Sequence, residues 1–308
     1  MDELLTLAWA HGGVLTTRLA GDLGIGRDGL MQAVRRGTLR HLARGLYAVG
    51  RAPAPPELRH LELCRALRLE YPDAVLAGHS AVLAHGLPTW RVPLDRALLL
   101  REVPRQIRRS GADIRPTAGA GLSVATGDGA ASVPAVALTQ LALDHGSFAG
   151  VVSADAALHR GLVSLDDLRA ELGRRRRHRR VQQATAMCHL VDGASESPGE
   201  SRLRVTLALV SIAVEPQFVV RDEDGEVVGR ADLRVAGTNV LIEFDGAVKY
   251  REGGAEALVR EKRREDRFRA LGWVVVRVTW ADLEHPERVI AAVRRAMAVA
   301  SRTASLAS

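Results

Sequence analysis

"GRADLRVAGTNVLIEFDGAVKY", residues 229–250, sets three carboxylates into the apolar alternation of sheet. Uncompensated buried charge is strongly unfavourable, so Asp232, Glu243 and Asp245 either face water or hold something. In "GRADLRV" the alternation puts Arg230, Asp232 and Arg234 on one strand face and Ala231, Leu233 and Val235 on the other. In "VLIEFDG" the same rule pairs Glu243 with Asp245, opposite Ile242 and Phe244. A tight turn at "AGTN" joins the two strands and brings Asp232 beside Glu243. Neighbouring carboxylates repel and raise one another's pKa, and a divalent cation removes the conflict. Oxygen-only ligands point to Mg²⁺ or Mn²⁺, held by Asp232, Glu243 and Asp245. Such a site suits phosphodiester hydrolysis: the metal acidifies a bound water, and a nearby cation steadies that water or the charge on phosphorus. Lys249, just beyond Gly246, is the candidate cation. The plainer alternative is a solvated hairpin face, which the scarcity of Asp and Glu in strands disfavours.

Around this stretch, residues 195–300 read as one unit. "ESPGESRLRVTLALVSI" starts a helix with Ser197 as its cap and Pro198 at the first helical position. "PQFVVRD", the turn "EDGE" and "VVGRADLRV" precede "VLIEFDG", giving a three-stranded antiparallel meander. "EALVREKRREDRFRALG" is a long helix closed by Gly272, and the continuous apolar run of "WVVVRVTW" predicts a buried strand. A helix from "ADLEHPERVIAAVRRAMAVA" completes the order α-β-β-β-α-β-α.

Residues 1–50 read as a second unit. Helices over "ELLTLAWAHG", "TTRLAGDLG" and "RDGLMQAVRRG" are followed by two short strands in "TLRHLARGLYAVG", hinged at "ARG". That is the layout of a winged helix-turn-helix. On this reading the third helix presents Arg27, Gln32, Arg35 and Arg36 to DNA, while Arg40 and Arg44 on the wing meet phosphate. A proline-rich linker at 51–57 leads to a mixed α/β middle region, 56–165. There "GHSAVLAHG" lacks the second glycine of a nucleophile elbow, having Val82, so Ser80 is read as a helix cap among packing histidines. The run "GRRRRHRR", 173–180, lies in a basic helical linker, 166–194, and is either a solvated, self-repelling surface or a phosphate contact.

Composition sets outer limits. At 308 residues the chain is long enough for two or three domains, and its 47% hydrophobic content suffices for packed cores. No apolar run reaches the roughly 20 residues that cross a bilayer, and the acidic start lacks a signal peptide's basic region, so the expectation is a cytoplasmic, soluble protein with no membrane partner. Cys64 and Cys188 sit on apolar helical faces as core thiols. A net charge of +7, mostly from arginine, suits a polyanion such as DNA, although an arginine-rich coding bias produces the same excess.

"SPGES…ADLRV…LIEFDGAVKY…EKRREDRFRALGWVVVRVTWADL" resembles the PD-(D/E)XK nuclease superfamily, in the branch related to very-short-patch-repair endonucleases, over roughly residues 196–284. The resemblance implies a restriction-endonuclease-like αβββαβ core and a catalytic set of Glu200, Asp232, Glu243 and Asp245. The family's lysine position is occupied here by Asp245, so the basic role passes to Lys249 or Lys262. "HGGVLTTRLAGDLGI…RRGTLRHLARGLYAV", followed by "GHSAVLAHGLP", resembles the AbiEi antitoxin family of type IV toxin-antitoxin systems, whose winged helix represses its own operon. Two functions therefore stand as expectations: a DNA-binding, Mg²⁺-dependent endonuclease, or a non-catalytic antitoxin-type regulator with a degenerate nuclease fold, its partner a cognate toxin's operon.

Overall fold

The computed structural model describes residues 2–117, 122–246 and 254–306, with 254–261 and 303–306 described by backbone alone. The chain is mixed α/β and divides into two compact units, 1–153 with 161–189 and 154–160 with 190–308. No helix among the described residues is long and apolar enough to cross a membrane.

The first unit opens with α1 (Asp2–Ala10), β1 (Val14–Thr16), α2 (Thr17–Asp22), α3 (Arg27–Arg35), β2 (Leu39–Ala43) and β3 (Leu46–Val49). Leu4 and Ala8 on α1 and Leu30 and Ala33 on α3 share the helical i, i+3/i+4 stripe and meet Leu15 and Tyr47 in one core. The Thr16 side chain caps α2, accepting the Leu19 N–H at 3.2 Å. The β2–β3 hairpin turns through Gly45 at φ +79°, at the expected hinge. β1, three residues long, has no sequence signature; it completes an antiparallel sheet in the order β1-β3-β2.

The rest of this unit contains α4 (Pro56–Glu70), β4 (Val75–Leu76), α5 (Gly78–Ala84), β5 (Ala97–Arg101), β6 (Ile107–Arg109), β7 (Ala112–Pro116), β8 (Ser123–Thr126), β9 (Gly129–Ser132), α6 (Pro134–His145), the start of α7 (Ser147–His159), α8 (Leu165–Arg174) and α9 (Val181–Leu190). Its strands form a mixed sheet, β6-β7-β5-β4-β9-β8. The capping role expected of Ser80 is corrected: Ala77 occupies the cap position of α5. Ser80 Oγ instead accepts the Leu98 N–H of β5 at 2.9 Å and contacts His60 Nε2 at 2.9 Å. Cys64 is fully buried, as a core thiol should be, and burial pushes its pKa up to about 12.

The second unit contains α10 (Pro198–Ala208), β10 (Val214–Arg221), β11 (Val227–Val235), β12 (Val240–Asp245), α11 (Gly254–Ala270), β13 (Val274–Thr279), α12 (Trp280–Leu283) and α13 (Pro286–Leu306). The sheet runs β10-β11-β12-β13, antiparallel except for β13, which lies parallel to β12. One face packs Leu233, Ile242 and Phe244 with Leu203 and Leu207 of α10 and Val293 of α13. The other packs Val220, Ala231 and Leu241 with Phe268 of α11. Two expectations are corrected here. β13 is an edge strand, with only Val278 fully buried, because the sheet ends there despite the apolar run. Simple alternation also fails in β11, where Ala231 lies on the α11 face but Leu233 and Val235 on the α10 face. The pairs Pro216↔Leu233 and Phe218↔Ala231 bracket the change. Between them Gln217 adopts φ +54°, a left-handed conformation costing about 1 kcal/mol for a non-glycine residue, and the ribbon reverses its faces at that point.

Candidate functional site

The ribbon reversal organises the acidic residues. β11 and β12 are paired from Val235↔Val240 to Leu233↔Ile242. One step further, the Asp232 carboxylate accepts the Phe244 N–H at 2.7 Å, taking the place of a strand partner. That N–H lies between Glu243 and Asp245 in the chain, so Asp232 touches the backbone that carries both. Glu200 approaches from α10. A Cβ at Gly199 would fall 2.1 Å from the Phe244 ring, so this glycine lets the helix start close onto β12. Ser197 caps the helix by accepting the Glu200 N–H at 3.2 Å, and its hydroxyl donates to Glu200 Oε1 at 2.7 Å. The Glu196 N–H and Gln217 Nε2 donate to Oε2 at 3.0 and 2.8 Å. The left-handed Gln217 thus both reverses the ribbon and orients Glu200. Burial raises the Glu200 pKa; the bonds from Glu196 and Ser197 oppose the rise, and the Asp232 charge adds to it.

Glu243 and Asp245 meet arginines. Glu243, 8% exposed, receives Arg264 Nη2 at 3.1 Å, and Arg264 Nη1 donates to the Arg230 carbonyl at 2.7 Å. Arg277 stands opposite Glu243 in the parallel register, with Nη1 3.9 Å from Asp245 and Nη2 2.7 Å from Glu265. The crevice between Glu243, Arg264, Phe268 and Arg277 has no room for a water molecule. The donor set is all carboxylate oxygen, the chemistry a hard divalent cation requires. As the side chains stand, no group of three or more His, Cys, Asp or Glu among the described residues is arranged to hold a metal ion. Arg264 and Arg277 were not anticipated from the sequence. Arg277 alone left a trace, as a solitary charge in a valine strand. Lys249 lies outside the described residues, and Lys262 is exposed on α11.

In the first unit, Arg27, Gln32, Arg35 and Arg36 are exposed on and just after α3, whose Leu30 and Ala33 point inward. Arg44 is exposed at the hairpin tip, where its N–H donates to Ser110 Oγ at 3.0 Å. Arg40, expected to meet phosphate, has its guanidinium paired with Glu62 of α4 and is only 18% exposed. The basic run is also partly committed. Arg174 and Arg175 bond the buried Glu171 at 2.9 and 2.8 Å, and Arg180 donates to the Asp144 carbonyl at 2.9 Å.

A scan against protein-family models finds no match to this chain, and a search of curated proteins finds none either.

Proposed function

We propose that the chain is a DNA-binding protein whose second unit is a metal-dependent phosphodiesterase of the restriction-endonuclease-like class, addressed to DNA by a winged helix at residues 1–50. The observation that carries this reading is the parting of β11 from β12, where Asp232 bonds the Phe244 N–H between Glu243 and Asp245 while Glu200 closes in from α10. Asp232 and Glu243, with Asp245, would hold Mg²⁺ or Mn²⁺. The bound ion supplies an acidified water and neutralises charge on the phosphate. The chain's own groups prepare the site. The Phe244 N–H fixes Asp232, and Ser197, Gln217 and the Glu196 N–H fix Glu200, so both carboxylates are held in one orientation. Arg264 and Arg277 supply cationic density beside the phosphate in place of the family's lysine, with Lys249 a further contributor.

The test is nicking of supercoiled plasmid and cleavage of labelled single strands with Mg²⁺ or Mn²⁺. Wild type is expected to cut and Asp232→Asn to lose activity at least a hundredfold; equal activity would remove Asp232 from the mechanism.

One observation favours a second reading, an antitoxin-type regulator without turnover: Glu243 is already balanced by Arg264. That protein would bind an operator through Arg35 and Arg36 whether or not Mg²⁺ is present, and would cut nothing.

A further inference from the structure

The first unit holds a cavity of about 220 Å³ that includes none of the acidic-site or α3 residues discussed above and takes Arg175 and His178 from the basic run. Leu98 and Leu100 of β5 and Val136 of α6 give it an apolar floor. Arg115 of β7, Gln140 of α6, and Arg175 and His178 beyond α8 supply its polar wall.

The guanidinium groups of this wall are only partly engaged. Arg115 Nη1 bonds Asp144 Oδ2 at 2.8 Å. Arg175 Nε bonds Glu171 Oε1 at 2.8 Å, but Arg174 already holds the other oxygen of that carboxylate at 2.9 Å. Arg180, which does not line the cavity, donates to the Asp144 backbone carbonyl nearby. The two arginines that line the cavity, Arg115 and Arg175, are thus each held by one carboxylate, and Arg174 shares Glu171 from outside the lining. Each cavity arginine spends one nitrogen on its carboxylate, and no further side-chain hydrogen bond from either is present among the described residues. A latch that merely pinned α6 and α8 in place would not need an open volume beside it.

We propose that this cavity binds a small phosphate monoester. Two guanidinium groups on separate elements and one imidazole match the three terminal oxygens of a phosphate better than the two of a carboxylate. The apolar floor and the Gln140 amide receive a compact organic body.

The test is titration calorimetry on the full chain with phenyl phosphate, a nucleoside monophosphate, inorganic phosphate and a short DNA strand. One molecule of a monoester is expected to bind, more tightly than inorganic phosphate, and at least tenfold more weakly to Arg175→Gln. Glu171 keeps Arg174 in that variant, so the fold should survive, which a melting curve checks. His178→Ala gives an independent reading and should weaken binding severalfold. Arg177→Gln, altering an exposed arginine that does not line the cavity, should bind as wild type does. The proposal is overturned if no monoester binds, if Arg177→Gln loses as much affinity as Arg175→Gln, or if both cavity variants bind as wild type. Tighter, Arg175-dependent binding of the DNA strand would also overturn it, assigning the arginines to a nucleic-acid backbone.

Discussion

The arginines of α3 and those of the second unit are used in opposite ways. Arg27, Arg35 and Arg36 lie exposed and enter no ion pair among the described residues. In the second unit Arg204, 8% exposed, is bonded to the fully buried Asp155 at 2.6 Å, and Arg264 and Arg277 stand against Glu243, Asp245 and Glu265. The same residue type is left to solvent in one place and set against internal carboxylates in the other. Net charge alone could not separate these uses; burial and partners do.

The largest effect is expected at the most buried pair, Arg204 with Asp155. Replacing Arg204 by Met strands the Asp155 carboxylate, which burial already pushes above its usual range, and should cost about 3–5 kcal/mol in denaturant unfolding. A cost below about 1 kcal/mol would mean that buried charge is not what these arginines balance. Arg264→Met should cost about 1–3 kcal/mol by depriving the buried Glu243 of its cation. If the nuclease reading holds, Mg²⁺ or Mn²⁺ should recover part of the lost melting temperature in that variant.

At the exposed end, Arg35→Ala together with Arg36→Ala should leave stability within about 0.5 kcal/mol. DNA affinity should fall about tenfold or more, and the slope of log affinity against log salt should lessen by about 2. Unchanged DNA binding would remove α3 from the interface. The smallest effect is expected at Glu200. Because its folded pKa is raised, the native state holds that proton more tightly than the unfolded chain does. Stability tied to the proton is complete below the unfolded value, about 4.3, and is lost as pH rises through the folded one. Glu200→Gln should therefore melt higher than wild type at neutral pH and about level with it near pH 4. A variant less stable at neutral pH would show that the ionised carboxylate is structural.

Much of the architecture could be read from the chain because it rests on local signals. Pro198 after Ser197, the glycine turn of the hairpin and the 3.6-residue stripes of α1 and α3 each announce their element. What could not be read depends on distant partners. Nothing near Arg40 in sequence shows that Glu62 will claim it, and nothing near Ser80 shows that Leu98 and His60 will. β4, β6, β7 and β9 are too short to display a period. The reversal of faces in β11 originates in the backbone of Gln217 on the neighbouring strand, so alternation counted within β11 misplaces Ala231 relative to Leu233. The acidic residues themselves were visible as charges in strands, whereas Arg264 and Arg277 were not, since register and helix docking bring them there.

The carboxylates at the parting of β11 and β12 are proposed to form a divalent-cation site. Titration of the full chain with Mn²⁺, followed by calorimetry, tests it most directly. Saturable binding by wild type that is lost in Asp232→Asn and in Glu243→Gln is the predicted result. No binding by wild type, or binding that survives both substitutions, would contradict it.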